Sequence, residues 1–147
     1  MQALARWLAI LGGVVLIAAS VLTVVSGLSR WWTSQPVRGD VELVSVAAGI
    51  AVMAAMPWGT ARGSHIMVDS FTGWLPASVT GFIDRFWRFI WIQAFALLAW
   101  RMALGAQEAI RNGEQTMGLL GVPYGYAVAF GAFCFGLSAL LSFKDSQ

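Results

Sequence analysis

The side chains best suited to chemistry lie in one polar stretch, residues 62–75, of a chain that is otherwise largely apolar. This stretch contains Arg62, Asp69 and His65, and His65 is the only histidine in the sequence. A lone imidazole cannot complete a zinc site or a bis-histidine haem within the chain. Ser64 precedes His65, but neighbouring residues of a helix point apart and cannot act as a nucleophile and its base. The stretch therefore predicts no catalytic or metal-binding centre of its own.

Other signatures of catalysis are also missing from the sequence. It contains no HExxH, GxSxG, P-loop or CxxC motif. Cys134, the single cysteine, lies in an apolar run and is expected to be a buried packing residue. No acidic residue occupies the centre of a predicted membrane span, as a proton relay or a sodium site would require. We therefore predict that the chain is not an enzyme and binds no cofactor.

Helical periodicity suggests a different role for residues 62–75. At 100° per residue, one face of a helix here would be apolar and the opposite face polar. The apolar face carries Met67, Val68, Phe71, Trp74 and Leu75, and the polar face carries Arg62, His65, Asp69 and Thr72. Such a helix should lie flat in the membrane interface, and Pro76 should end it. The sequence leaves open whether its polar face meets lipid headgroups and water or a partner chain.

The composition is that of an integral membrane protein. Of 147 residues, 59% are hydrophobic and 11% are charged, whereas about 25% are charged in a typical soluble domain. The apolar runs predict one all-α membrane domain of four transmembrane helices, with the short amphipathic interfacial helix between spans two and three. The predicted spans cover residues 7–28, 41–58, 82–104 and 122–143. A net charge of +2 without a basic stripe argues against nucleic-acid binding.

Tryptophan and arginine residues border the predicted spans. Aromatic rings favour the headgroup level, and arginine side chains near helix ends extend towards it. The predicted membrane-interface anchors are Trp7, Trp31, Trp32, Arg85, Arg88, Trp91 and Arg101. Span one has 22 residues, which is too long for the apolar core of a cleaved signal peptide, so we expect it to be retained. Between Arg88 and Arg101 of span three, Gln93 is the lone polar group, and it either hydrogen-bonds to a neighbouring helix or contacts a substrate.

Two spans carry features that predict close helix packing. Span two is rich in alanine, and because small side chains let helices approach closely in lipid, we expect it at the centre of the bundle, ending at Pro57. In span four, Gly121, Gly125 and Ala129 recur every four residues and predict another tight contact. Glu42 lies in the first turn of span two, where a carboxylate either complements the helix N-terminus or pairs with a partner subunit.

The polar stretch also carries a family resemblance. The pattern Arg62-x-x-His65-Ile66-x-Val68-Asp69, followed by Leu75-Pro76, resembles the hallmark of the small membrane subunit of tripartite ATP-independent periplasmic (TRAP) transporters, the DctQ-like family. In that family the motif sits between the second and third of four spans, as it does here. The run from Gly113 to Thr116, with Pro123 beginning the next span, is similar to the corresponding family loop. Met67 departs from the pattern, since the family often has a basic residue there.

The resemblance implies a function and a set of partners. It implies a non-catalytic scaffold subunit of a secondary transporter in the bacterial inner membrane, importing an organic acid with a sodium gradient. Its partners would be a large membrane transporter subunit, a periplasmic solute-binding protein and membrane lipids. The candidate partner-interface residues are Arg62, His65, Asp69, Glu42, Glu108 and Glu114. Cytoplasmic termini are favoured by the resemblance and by a slight excess of Lys and Arg on that side, five against four.

Two other functions fit the same span count. In one, the chain is the membrane anchor of a respiratory enzyme, and His65 supplies one axial haem ligand while a partner chain supplies the other. In the other, it is a self-associating four-helix membrane protein without a transport role. A Soret band in the purified complex would identify the haem anchor.

Overall fold

Four long helices make up most of the chain. The structure is a computed structural model, and it describes residues 2–35, 37–62 and 77–144. The helices are α1 (Gln2–Thr33), α2 (Asp40–Ala61), α3 (Ala77–Arg111) and α4 (Gly125–Lys144). The described residues contain no β-strand. All four helices are long and apolar enough to cross a membrane, which confirms the predicted all-α class and the number of spans.

The first three helices extend beyond both ends of their predicted spans, whereas α4 begins three residues later than predicted and ends one residue later. At 1.5 Å per residue, the 32 residues of α1 and the 35 of α3 give lengths of about 48 and 52 Å. The 22 residues of α2 and the 20 of α4 give about 33 and 30 Å. These shorter helices match a hydrocarbon core of about 30 Å, whereas α1 and α3 are long enough to extend past it or to tilt. The predicted interfacial helix lies outside the described residues except for Arg62, which directly follows α2.

The prediction that Pro57 ends the second helix is wrong. Pro57 lies inside α2, which continues for another turn to Ala61. Its ring is fully buried, so packing offsets the backbone hydrogen bond that proline cannot donate. One residue before it, the carbonyl of Met56 accepts a hydrogen bond from the Thr60 hydroxyl at 3.0 Å. The helix begins directly after Gly39, whose φ of 75° lies in the left-handed region.

The helices pack in the order α1, α2, α4, α3. The main contacts join α1 to α2, α2 to α4, and α4 to α3. The alanine-rich α2 therefore has a neighbour on each side, as its small side chains predict. At the end of the bundle that holds both termini, Ala5 and Leu8 of α1 form a buried cluster with Leu137 and Leu141 of α4.

Glycines mark the closest approaches between helices. A Cβ atom on Gly12 of α1 would lie 2.9 Å from the carbonyl oxygen of Ala51 in α2. In α4, a Cβ on Gly125 would lie 2.8 Å from Cγ1 of Ile110 in α3, which agrees with the packing surface predicted there. Gly131 of α4 was not predicted to pack tightly, yet a Cβ there would overlap the side chain of Met53.

Of two other predictions for span four, the one for Gly121 is wrong and the one for Cys134 is confirmed. Gly121 does not belong to the packing surface of α4, because it lies in the preceding loop with a φ of 58°. Cys134 is fully buried, as expected for a packing residue. The Ser138 hydroxyl is buried beside it and donates a hydrogen bond of 2.9 Å to the Cys134 carbonyl. Within the described residues, then, this polar group inside α4 is satisfied by its own helix.

Candidate partner interface

The loop end of the molecule is defined here as the end where α1 and α3 finish and where α2 and α4 begin. The opposite end, which holds Gln2 and Lys144, is called the termini end. The α3–α4 connection crosses the loop end, and its residues 114–122 are called the 114–122 loop. Asn112 and Gly113 turn the chain out of α3, Gly113 with a φ of 63°, as the Asn-Gly pair predicts.

The carboxylate of Glu42 holds the 114–122 loop against the first turn of α2. Its two oxygens accept hydrogen bonds from the backbone N–H groups of Leu120, at 3.1 Å, and Val122, at 3.2 Å. Gly118 lies directly against the carboxylate, where a Cβ atom would overlap it. The side chain is half-buried, so these N–H groups satisfy a charge that is partly removed from water. Glu42 therefore joins the second helix to the connection between the third and fourth.

The 114–122 loop has its own internal structure around this contact. The Thr116 N–H donates to the Val122 carbonyl at 3.0 Å, and the Val122 N–H donates to the Thr116 hydroxyl at 2.9 Å. The Leu120 side chain covers Gly39, leaving no space for a Cβ at that position. Because both ends of the loop are paired, its middle residues project outwards: the side chains of Met117 and Leu119 are almost fully exposed.

Glu114 forms a second polar contact in the same loop. Its carboxylate accepts a hydrogen bond from the Tyr124 hydroxyl and one of 3.4 Å from the Asn112 side chain. The bond from Tyr124 is the main reason that the pKa of Glu114 is lowered, and the same bond raises the pKa of Tyr124. Glu108 lies earlier, in the last turns of α3, and its side chain is exposed.

A third polar contact at this end ties α1 to α2. The buried Ser26 hydroxyl of α1 donates to the Asp40 carboxylate and accepts a hydrogen bond of 3.3 Å from the Val37 N–H. Asp40 also accepts from the Val41 N–H at 2.7 Å, which satisfies a free donor in the first turn of α2. Through Asp40 and Glu42, the start of α2 thus contacts α1 and the loop that precedes α4.

At the termini end the structure shows one of the three predicted polar residues. Arg62 is exposed, and its guanidinium lies 4.8 Å from the centre of the Trp58 ring, within range of a cation–π interaction. His65 and Asp69 lie outside the described residues, so their place at a partner surface stays a prediction.

The predicted membrane anchors differ in their surroundings. Trp7, Trp31 and Trp32 are 64%, 82% and 84% exposed, as suits a headgroup-level belt. The side chains of Arg85, Arg88 and Arg101 are also exposed. Trp91 packs on Phe95 at 5.6 Å between ring centres, and Phe95 packs on Phe135 of α4 at 6.1 Å. Trp91 therefore belongs to a row of rings that links α3 to α4.

The role of Glu42 inside the chain was missed by sequence reasoning. The two sequence-based interpretations concerned the helix dipole and a partner subunit, whereas the structure gives Glu42 a partner within its own chain. The available signal was weak: a carboxylate in the first turn of span two and a glycine-containing run, Gly118 to Gly121, before span four. Nothing in the spacing of these residues pairs them.

The described residues contain no group of three or more His, Cys, Asp and Glu side chains that could hold a metal ion. The polar contacts instead join helices and loops at one end of a four-helix membrane protein. Comparisons with curated proteins and with solved structures found no significant match. The family model described as "Tripartite ATP-independent periplasmic transporters, DctQ component" matches residues 19–146. The chain therefore belongs to the DctQ family, the small membrane component of TRAP transporters.

Proposed function

We propose that this chain is a non-catalytic scaffold subunit of a sodium-driven TRAP importer of an organic acid. In this proposal, a large membrane subunit carries the solute and a periplasmic binding protein delivers it. Membership of the DctQ family is the observation that carries the proposal, and it favours a transporter over a haem-containing respiratory anchor. Supporting it, the polar contacts described above link elements of this chain at the loop end and do not surround a cavity at mid-membrane.

Contact with the large subunit is proposed along α3 and the polar stretch after α2. Gln93 lies near the middle of α3 with an exposed side chain, and a polar group facing hydrocarbon is costly unless a neighbouring helix satisfies it. Exposed rings such as those of Phe86, Phe89 and Trp100 lie on the same helix and offer apolar area for packing. The charged residues Arg62 and Asp69 would fix the position of this contact at the membrane surface.

Contact with the binding protein is proposed at the loop end, with both termini in the cytoplasm. In that orientation the 114–122 loop faces the periplasm, and Met117 and Leu119 project from it. Glu108 is exposed nearby and is free to meet a basic group, whereas Glu114 already accepts hydrogen bonds within the chain. Glu108→Lys should therefore weaken binding-protein docking, and an unchanged docking affinity would exclude Glu108 from that interface.

The proposal is tested by transport with all three components. Proteoliposomes containing both membrane subunits, given the binding protein and an inward sodium gradient, should accumulate the organic acid. Omission of any component or of the gradient should abolish uptake. Accumulation by this chain alone would contradict the scaffold role, and a Soret band in the purified complex would revive the respiratory anchor.

The contact with the large subunit has a separate readout. Co-purification should fall for Asp69→Asn and for Gln93→Leu, while insertion into the membrane stays normal. Gln107→Leu is the matched control for Gln93→Leu, since Gln107 is an exposed glutamine nearer the loop end of the same helix. Normal recovery of the large subunit with both variants would place the interface elsewhere.

A further inference from the structure

We propose that the termini end of α1 and α2 forms a binding site for the headgroup of an anionic phospholipid. A groove of about 440 Å³ opens there between the two helices. It is lined by Gln2, Ala3, Arg6, Trp7 and Ile10 of α1 and by Trp58 of α2. This site does not depend on which solute the transporter carries.

Two cationic side chains are associated with Trp58 in this site. Arg6 lines the groove together with Trp58, and the Arg62 guanidinium lies 4.8 Å from the centre of the Trp58 ring. Both arginines are exposed, and no carboxylate of the described residues forms an ion pair with either. A guanidinium presents several N–H donors in one plane, which suits the oxygen atoms of a phosphate. The pair therefore favours an anionic phosphate ligand.

The charge distribution of the two helices supports the same ligand. No Asp or Glu occurs in α1, so its termini end carries only the positive charge of Arg6. The acidic residues of α2 are Asp40 and Glu42, which lie at the loop end of that helix. Among the described residues, the charged side chains at this end of the two helices are thus Arg6 in α1 and Arg62 directly after α2, so a zwitterionic or neutral headgroup gains less there than an anionic one.

The depth of the site favours a lipid over a free phosphate ion. Arg6 directly precedes a run of α1, residues 7–29, that contains no charged residue, and Arg62 directly follows α2. Both arginines therefore lie at the border of the hydrocarbon region. Ile10 lines the groove one turn deeper than Arg6, so the site continues from a polar mouth onto an apolar wall. An inorganic phosphate has no group to cover that wall, whereas a phospholipid has its acyl chains.

Packing within the bundle holds the aromatic ring in place. Trp58 packs against the buried cluster of Ala5, Leu8, Leu137 and Leu141. The close approach at Gly12 fixes the separation of α1 and α2 just below the groove. A ring that is held in place loses little side-chain entropy on binding, so it can support Arg62 without reorganisation.

The test measures lipid retention by the full-length chain. The protein, purified in detergent, is loaded with phosphatidylglycerol or with phosphatidylcholine of the same acyl chains, and bound lipid is counted by native mass spectrometry. A basic residue near an anionic headgroup contributes about 1 kcal/mol, so Arg6→Gln and Arg62→Gln should each weaken phosphatidylglycerol binding about fivefold, and the double variant on the order of 25-fold. Arg38→Gln with Arg111→Gln removes the same charge from two exposed arginines outside the groove and should leave binding unchanged.

The outcomes separate the proposal from its competitors. Preferential retention of phosphatidylglycerol that is lost in the double variant, with an unchanged melting temperature, supports the site. Equal retention of both lipids, or equal loss in the control variant, overturns it. Displacement of the lipid by millimolar inorganic phosphate would show an anion site without lipid specificity and would also overturn it. So would a double variant that keeps phosphatidylglycerol but loses the large transporter subunit, since the groove would then be a protein interface.

Discussion

The two ends of this four-helix protein use their polar groups in opposite ways. At the loop end, the carboxylates of Asp40, Glu42 and Glu114 accept hydrogen bonds from groups of the same chain. At the termini end, Arg6 and Arg62 are exposed; Arg6 lines an open groove together with Trp58, and Arg62 lies over the Trp58 ring. The comparison indicates that acidic groups fix the internal structure at one end, whereas basic groups remain available to an external ligand at the other.

This division follows from the donors and acceptors of a helical protein. Backbone N–H groups are left unpaired at helix starts and in loops, and a carboxylate satisfies them with two strong bonds. Each end contains two helix starts, but the loop end also contains the connection between α3 and α4, whose Leu120 and Val122 N–H groups bond to Glu42. An arginine has no acceptor and cannot serve them, but it suits the phosphate layer at a membrane border.

The largest expected effect comes from separating α1 from α2, because both ends depend on that contact. Gly12→Leu should destabilise the protein by about 2–3 kcal/mol, because even a Cβ atom added at Gly12 would lie 2.9 Å from the Ala51 carbonyl oxygen. The thermal unfolding midpoint in detergent measures the loss. Gly13→Leu is the matched control, because a Cβ on Gly13 would meet nothing within 4 Å.

The Gly12 variant also tests whether the ends are coupled. The Ser26–Asp40 contact and the groove at Arg6 both lie between α1 and α2, so Gly12→Leu should raise amide exchange at Val37 and weaken phosphatidylglycerol retention together. If Gly13→Leu destabilised the protein as much as Gly12→Leu, the close approach would not be the cause.

A smaller effect, confined to the loop end, is expected from Glu42. Glu42→Ala leaves the N–H groups of Leu120 and Val122 without their carboxylate, at a cost of about 1–2 kcal/mol. Hydrogen exchange at these two amides should accelerate, while lipid retention at the termini end stays unchanged. Glu108→Ala is the control, because its exposed carboxylate is on the same end of the molecule. Equal exchange in both variants would mean that Glu42 does not hold the loop.

The Glu42 contact also shows where prediction from sequence stops. Apolar runs of sufficient length determine four spans, and the alanine content of span two predicts its neighbours on both sides. The partners of Glu42 are backbone N–H groups 78 and 80 positions away, and backbone donors have no residue type by which to recognise them. Tertiary packing likewise decides that α2 continues through Pro57, since the buried ring compensates for the lost hydrogen bond.

Gly131 illustrates the same limit for packing. A four-residue spacing predicts the packing surface of α4 around Gly125 and Ala129, and a Cβ on Gly125 would indeed crowd Ile110. Gly131 falls outside that spacing, yet it receives Met53 from α2 and Met102 from α3. Its role depends on two flexible side chains from different helices, and nothing local to span four specifies either of them.

The smallest expected effect is the response of the 114–122 loop to pH. The pKa of Glu114 is lowered by its bond from Tyr124, so this bond stabilises the loop above the ordinary pKa of glutamate, about 4.3, and is lost as pH falls through the lowered value. The pKa of Tyr124 is raised, so the stabilisation that its hydroxyl gives by donating to Glu114 is fully present below the ordinary pKa of tyrosine, about 10. This stabilisation is lost as pH rises through the raised value. Amide hydrogen exchange in the 114–122 loop should therefore be slowest at pH values between the lowered pKa of Glu114 and the raised pKa of Tyr124. In the Tyr126→Phe variant Tyr124 is the remaining tyrosine of the chain, and its spectrophotometric titration should give a pKa above the ordinary value of about 10. Glu114→Gln should lower the pKa of Tyr124, because a neutral amide accepts a weaker hydrogen bond from the Tyr124 hydroxyl than a carboxylate does. If the Tyr124 titration were the same with and without the Glu114 charge, this contact would not stabilise the loop, and Glu42 alone would hold it in place.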